Sequence, residues 1–414
     1  MGKIPRQDGD ERRFRQDSGA FPEKEGRRGI ILRTPPETLI PPPPQLHLYV
    51  HIPFCHRICP YCAFFKHTPA STDMKLFIRA LGREAESRAA ALSMSRGGET
   101  ATLYFGGGTP SMLSDTHLGR LMETLDRLVP VDRLDEFSFE ANPATFTEKK
   151  VRFWRSLGMN RVSLGVQSLD SGILRLLGRE HTPSQALRSV EMLKNAGMPH
   201  INMDLMFAIP GQTLSIWEAT LKEAVRAGTD HISAYNLTYE EDTEFFRSLL
   251  RGEKRQDPDE DAAFFELAEH VLEAAGMRHY ETSNYAREGC QSPHNMAYWK
   301  GEDYVGIGPG AVSTINGMRY SNTRDTDAYI RSTLENGLPL SEQEPVTAED
   351  YRLERIALML RTDEGLPLKY ILPESRPLLE QYRELGLADI SPEQRLILKG
   401  RGRLLVDAIA AELC

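Results

Sequence analysis

The sequence predicts an α/β fold of repeated strand–helix units, as in a parallel barrel, with a small C-terminal domain appended. Three observations predict it. Six short apolar runs alternate with longer helical patterns between residues 46 and 235, the order expected of βαβ units. Four helical patterns close on one signature, Leu157-Gly158-Met159, Ala196-Gly197-Met198, Ala227-Gly228-Thr229 and Ala275-Gly276-Met277; each glycine can take the left-handed conformation that ends a helix. The pattern also changes character on both flanks, near residues 45 and 340.

In chain order, residues 1–45 read as a disordered, Pro-rich extension without a periodic apolar face. It ends in Pro41-Pro42-Pro43-Pro44, which favours polyproline II. Its basic residues are mixed with Asp8, Asp10, Glu11, Asp17, Glu23 and Glu25, unlike an acid-poor mitochondrial transit peptide. Strands are expected at 46–51, 101–105, 136–140, 161–166, 200–206 and 231–235, and helices at 73–93, 115–128, 148–157, 184–196 and 214–227. Residues 46–285 form the core, 286–340 a linking segment and 341–414 the C-terminal domain. That last part reads as mostly helical, with helices at 348–359, 378–385 and 403–413 around a short β-ribbon within 389–398.

Composition narrows the functional classes. The chain has 414 residues, 40% of them hydrophobic, and a net charge of −9. This is ordinary for a globular protein and argues against a general nucleic-acid binder. No run of 18 or more apolar residues occurs, so no transmembrane helix is expected, and no secretory signal is apparent. Five cysteines, three of them clustered, do not form a disulfide framework and suit a reducing compartment such as the cytoplasm. The isolated Cys290 and Cys414 read as small hydrophobes.

The cluster is Cys55-His56-Arg57-Ile58-Cys59-Pro60-Tyr61-Cys62, directly after the first strand. A cubane has four irons, each normally held by a Cys thiolate. Three cysteines leave one iron open, and an open metal position is where a substrate or cofactor coordinates. Structural zinc is the competing reading. It needs four closed ligands, yet His56 is adjacent to Cys55 and a second, distant ligand pair is absent.

Further polar groups collect at strand ends. Gly106-Gly107-Gly108-Thr109-Pro110-Ser111 follows the second strand; a glycine run alone is most often a turn, but here it would let a ligand approach the backbone. Glu140-Ala141-Asn142-Pro143 closes the third strand, Gln167 the fourth, and Asp204 lies in the fifth. Any one of these could be an ordinary loop contact. In a parallel barrel they converge on one mouth, at the carboxyl ends of the strands.

The spacing Cys-x-x-x-Cys-x-x-Cys, preceded by Tyr49-Val50-His51-Ile52-Pro53-Phe54, resembles the radical SAM superfamily. The likeness is greatest to the branch holding oxygen-independent coproporphyrinogen III oxidases and HemW-like haem chaperones. It implies a partial (β/α)6 TIM-like radical SAM barrel, open on one side, with a small mostly helical, winged-helix-like C-terminal domain. It also implies that Cys55, Cys59 and Cys62 hold a [4Fe-4S] cluster, and that S-adenosyl-L-methionine (SAM) chelates the open iron and can be cleaved to a 5′-deoxyadenosyl radical. Gly107, Gly108 and Thr109 match the motif that contacts the SAM amino group. Tyr49, Glu140, Gln167, Arg179 and Asp204 match further SAM-contacting positions, and Thr238 and Val312 align with two more. A guanidinium such as that of Arg179 suits a carboxylate, although a salt bridge is the commoner role of a single Arg.

Two features separate the branches. The oxidases carry a fourth Cys two residues after the third, and here that position is Phe64. Pro293-His294-Asn295-Met296-Ala297-Tyr298-Trp299, after Tyr280-Glu281-Thr282-Ser283-Asn284-Tyr285-Ala286, resembles the chaperone signature implicated in haem binding. Imidazole is a good haem ligand, so His294 is the leading candidate, with Cys290 nearby as a lesser one; a hydrogen-bonded structural histidine is the plain alternative. The implied function is a cytoplasmic haem chaperone that binds the cluster, SAM and haem and delivers haem to apo-haem proteins, those of the respiratory chain among them. A homodimer is compatible with this. The alternative is oxidative decarboxylation of coproporphyrinogen III.

Overall fold

A computed structural model describes residues 45–69, 72–89, 100–252 and 257–414. The predicted Pro-rich extension lies outside the described residues, as does the end of the helix expected at 73–93.

Six parallel strands stand in chain order: β1 (Leu46–Ile52), β2 (Thr100–Gly107), β3 (Glu136–Ala141), β4 (Arg161–Gln167), β5 (His200–Phe207) and β6 (His231–Asn236). Each lies where the apolar runs predict it, extended by one residue, or by three in β2. The sheet continues past both ends. β8 (Asn284–Ala286) adds antiparallel to β6, and β7 (Arg278–Glu281) adds antiparallel to β8 at the edge. β9 (Tyr304–Ile307) adds parallel to β1, followed by β10 (Val312–Ile315), β11 (Met318–Asn322) and β12 (Leu340–Pro345). The order is β12-β11-β10-β9-β1-β2-β3-β4-β5-β6-β8-β7, so β1 and β6 never pair and the barrel stays open.

Helices Met74–Ser87, Asp115–Leu125, Glu148–Ser156, Pro183–Asn195 and Leu214–Ala227 fill the crossovers. Their ends follow local chemistry. The Asp73 side chain accepts from the N–H groups of Lys75 and Leu76, and Thr182 and Gln185 form a capping box. The four glycines of the repeated signature all have positive φ: Gly158 95°, Gly197 73°, Gly228 75° and Gly276 76°. A shorter helix, Ser171–Leu176, was not anticipated; six residues carry too little periodicity to read.

Strands buried on both faces usually read as continuous apolar runs. These instead alternate, with Met206 the apolar exception on the polar side. Leu48, Val50, Leu103, Phe105, Phe137, Phe139, Val162, Leu164, Met203, Leu205 and Ile232 join the main core with the helices. The intervening residues are polar: His47, Tyr49 and His51; Thr102 and Tyr104; Glu136, Ser138 and Glu140; Arg161 and Ser163; Asn202 and Asp204; His231, Ser233 and Tyr235. The apolar core therefore sits between sheet and helices, and the concave face of the sheet is polar.

Helices Ala348–Met359, Arg376–Glu384 and Val406–Leu413 surround a three-stranded sheet of β13 (Leu366–Pro367), β15 (Arg395–Leu398) and β14 (Ala388–Ile390). They bury a separate core that includes Ile356, Leu366, Leu396 and Leu413. The last helix starts at Val406, later than the apolar pattern implies, because Gly400–Gly402 forms a 3-10 turn first. Among the described residues no helix is long and apolar enough to cross a membrane.

Candidate cofactor site

The cysteine loop leaves β1 and is pinned at both ends. The Cys55 N–H donates to the His67 carbonyl (3.0 Å), and the His67 N–H to that of Pro53 (2.8 Å). The glycine run packs beneath it, with the N–H of Gly108 donating to Ile52 (2.8 Å) and that of Thr109 to Phe54 (2.7 Å). Glycine is required here. A Cβ on Gly108 would lie 2.7 Å from the Phe54 carbonyl oxygen, and one on Gly107, at φ 106°, would lie 2.3 Å from the His51 ring.

Each cysteine has a polar neighbour. The Thr109 hydroxyl donates to Cys55 Sγ (3.5 Å) and Arg179 Nη1 to Cys59 Sγ (3.6 Å), while Lys66 Nζ binds the Cys62 carbonyl. Burial pushes the thiols of Cys55 and Cys62 up, and Thr109 and Lys66 respectively pull against it. All three cysteines are partly exposed. Their sulfurs do not gather within 4.8 Å of one another as donors to a single ion would. That spacing is compatible with a cluster in which each thiolate holds its own iron.

The residues expected at the strand ends are connected through one that was not singled out. Asn142 Nδ2 donates to Thr109 Oγ1 (2.9 Å), and Arg179 Nη2 donates to Asn142 Oδ1 (2.6 Å) and to the Gly165 carbonyl (2.5 Å). Cys55, Thr109, Asn142, Arg179 and Cys59 thus form one hydrogen-bonded chain across β1, β2, β3 and β4. The signal for Asn142 was its place two residues past Glu140.

Glu140 accepts from the Tyr104 hydroxyl (2.9 Å) and from the Gly107 N–H (3.0 Å). Burial, with the nearby Asp204 carboxylate, raises it to about 7. Asp204, itself raised by burial, accepts from Ser163 (2.9 Å) and Asn202 (2.6 Å). Gln167 ends β4 at φ 70°, a conformation that costs a non-glycine residue about 1–3 kcal/mol. Its buried Oε1, like the buried Arg179 Nε, has no hydrogen-bond partner among the described residues. Orphans of this kind cost about 1–3 kcal/mol each and call for a polar ligand. Tyr49 stacks on Tyr104 with centroids 6.1 Å apart, and its hydroxyl bonds His51 Nδ1 (2.9 Å).

Two expected residues stand apart. Thr238 is exposed, two residues past β6, and Val312 begins β10, its carbonyl lying against Gly306. Among the described residues, neither hydrogen-bonds to another of the expected residues. The loop after β9 was missed altogether. Gly308 packs on the His51 backbone and Gly310 on Phe65, so this loop supports the cysteine loop from the other side.

His294 lies in helix Pro293–Lys300 and is 1% exposed. Its Nδ1 bonds Thr102 Oγ1 (2.6 Å), which also bonds His47 Nδ1 (2.9 Å). Its ring stacks on Tyr104 and meets the edge of Tyr298. Burial, and then His47, keep it well below the usual histidine range, hence neutral. Its Nε2 is buried without a partner among the described residues. Phe64, by contrast, is 71% exposed beside the cysteine loop.

Residues 49–224 match the radical SAM superfamily. Over 381 residues the chain is 36% identical to the haem chaperone HemW of Mycobacterium tuberculosis, covering 91% of this chain and 96% of that one. It is 35% identical to HemW of Bacillus subtilis, covering 78% and 84%. It is 32% identical to the mitochondrial radical S-adenosyl methionine domain-containing protein 1 of Danio rerio, covering 86% and 83%. Among solved structures, coproporphyrinogen III oxidase (HemN) from Escherichia coli superposes with a TM-score of 0.76 at 24% identity, over 89% of this chain and 90% of that one, a likeness of fold.

Proposed function

This chain belongs to the HemW family of radical SAM proteins, and from that premise we propose that it is a haem chaperone that delivers haem to apo-haem proteins. Respiratory-chain proteins are among the recipients proposed, with the cytoplasm as the compartment and a homodimer as a compatible assembly. Cys55, Cys59 and Cys62 would hold a [4Fe-4S] cluster. Gly107, Gly108, Thr109, Glu140, Gln167, Arg179 and Asp204 would hold SAM, with Tyr49 behind them and Thr238 and Val312 at its margins. When bound, cluster and SAM supply one-electron chemistry.

The chain's own residues would divide the work. Arg179 and Thr109 donate to two of the thiolates and, through Asn142, keep the strand ends in register. Glu140, held by Tyr104 and the Gly107 N–H, would receive the SAM ammonium group.

The observation that carries the haem reading is His294 Nε2, a neutral imidazole nitrogen with no hydrogen-bond partner among the described residues. A neutral imidazole nitrogen is a haem-iron ligand. Because the ring is 1% exposed, coordination requires helix Pro293–Lys300 to move away from β2. The exposed Phe64, where an oxidase carries Cys, supports the chaperone over the decarboxylase.

The test titrates haem into cluster-loaded wild type and His294→Ala. A loss of at least about tenfold in affinity with an altered haem spectrum is expected for the variant, tenfold being ~1.4 kcal/mol. Equal affinity and unchanged spectra remove His294 as the ligand. Conversion of coproporphyrinogen III at enzymatic turnover, with SAM and a reductant, overturns the chaperone reading.

A further inference from the structure

At the opposite end of the sheet from the cysteine loop, three donor residues meet. His200 is the first residue of β5, Asp230 immediately precedes β6, and Cys290 follows β8. Their donor atoms lie within 4.8 Å of one another, the one group of three such His, Cys, Asp or Glu donors among the described residues. His200 Nδ1 is 2.7 Å from Asp230 Oδ2, and the two side chains are 32% and 20% exposed.

The thiol is brought to this pair by a fixed turn. The Cys290 N–H donates to the Arg287 carbonyl (3.0 Å), and the Arg287 N–H to that of Asp230 (3.0 Å). Gly289, at φ 76°, makes the reversal. Arg161 Nη2 donates to the carbonyls of Cys290 (2.9 Å) and Gln291 (2.8 Å). The backbone is thus held from three sides, while the thiol reaches the Glu288 carbonyl at 3.8 Å and hydrogen-bonds the Asp230 carboxylate. The remaining Asp230 oxygen accepts from the Ile201 N–H (2.8 Å), which orients the carboxylate.

We infer that His200, Asp230 and Cys290 form a binding site for a divalent cation of the zinc class. Imidazole nitrogen, thiolate and carboxylate are the donors zinc selects, and three protein ligands leave a fourth position for water. Zinc bonds of about 2.0–2.3 Å at tetrahedral angles set donors roughly 3.3–3.8 Å apart. The His200–Asp230 pair, at 2.7 Å, therefore opens slightly on binding, and Cys290, within 4.8 Å of both, adjusts to the same spacing, movements open to partly exposed side chains. Thiolate and carboxylate offset the two positive charges of the ion. From a neutral imidazole the balance is one proton released, from the Cys290 thiol; the His200 proton moves from Nδ1 to Nε2, freeing Nδ1 for the metal. Arg161 does not oppose the ion with an uncompensated charge, since Glu136 pairs with its Nε at 3.3 Å.

The site ties the turn at 287–290 to the starts of β5 and β6. That turn leads into helix Pro293–Lys300, which carries His294, so an ion here restrains the entry to that helix.

The test loads anaerobic, cluster-containing protein with Zn(II) and counts metal and protons. About one additional zinc per chain and one proton released are expected. Cys290→Ser should weaken zinc binding about 100-fold, since even loss of an outer partner of a ligand costs 10–100-fold; Cys414→Ser should leave it unchanged. Equal zinc affinity in wild type and Cys290→Ser overturns the site. Co(II) in the unaltered chain is the second measurement, independent of any variant's folding. A thiolate-to-cobalt charge-transfer band supports the site, and a Co(II) adduct without that band overturns it.

Discussion

The imidazole of His294 stacks on the phenol ring of Tyr104, with centroids 4.9 Å apart and planes inclined by 21°, while the Tyr104 hydroxyl donates to Glu140 at 2.9 Å. One side chain therefore touches both the proposed haem ligand and the proposed SAM site, and binding at either place should be felt at the other.

Tyr104→Phe separates the two contacts, because it removes the hydroxyl and keeps the ring. A hydrogen bond to a charged group contributes about 1.5–3 kcal/mol, so SAM affinity should fall roughly 10- to 100-fold while haem affinity holds. Tyr104→Leu should disturb both. Isothermal titration with each ligand checks this, and unchanged SAM affinity in Tyr104→Phe counts against the contact with Glu140.

Arg179→Lys keeps the charge and loses the fork that reaches Cys59, Asn142 and Gly165. SAM affinity should drop about tenfold or more, with iron content retained. Equilibrium dialysis with labelled SAM, beside iron analysis of the same samples, distinguishes this from loss of the cluster.

Cys59→Ala removes one of three thiolates. Anaerobically reconstituted wild type should hold about four irons per chain, since one cubane needs four, and the variant far fewer. Full iron and SAM binding in Cys59→Ala would sink the cluster assignment.

Gly108→Ala sets a methyl group against backbone on two sides, 2.7 Å from the Phe54 carbonyl and 2.8 Å from that of Ile52. Neither can swing away as a side chain would, so the cysteine loop must shift, at about 1–3 kcal/mol. Reconstitution yield and thermal midpoint should both fall. Gly197→Ala, where an added Cβ meets nothing within 4 Å, is the control for backbone strain alone, at φ 73°.

Glu140 titrates near 7 in the folded chain against an ordinary 4.5. Between these values the folded state holds a proton that the unfolded state has lost, so stability falls as pH rises through this window. At about 1.4 kcal/mol per unit the loss is of order 3 kcal/mol. Glu140→Gln carries no such proton. Its thermal midpoint should decline less than that of wild type between pH 5 and 8 without SAM, and parallel declines would contradict the assignment.

Much of this was legible in the sequence. The six strands and the four glycine-closed helices follow from local rules, because alternation, periodicity and the left-handed C-cap are properties of adjacent residues. The cysteine spacing is legible for the same reason, since three ligands on one short loop need no tertiary contact to be recognised. Asn142 escaped because its role depends on Thr109 and Arg179, both more than thirty residues away. The loop around Gly308 and Gly310 escaped because β9 is only four residues long and pairs with β1 across the chain.

By itself, the sequence determined the strand–helix order, the cysteine loop and the polar groups at the strand ends. The tertiary structure alone decided what lies behind that site. It turned every second strand residue onto one polar concave face, placed His294 against Tyr104 within it, and brought Cys290 to His200 and Asp230 at the far end of the sheet. The physical reason is that strand alternation says which residues share a face, while sheet order and the returning chain decide what that face encloses.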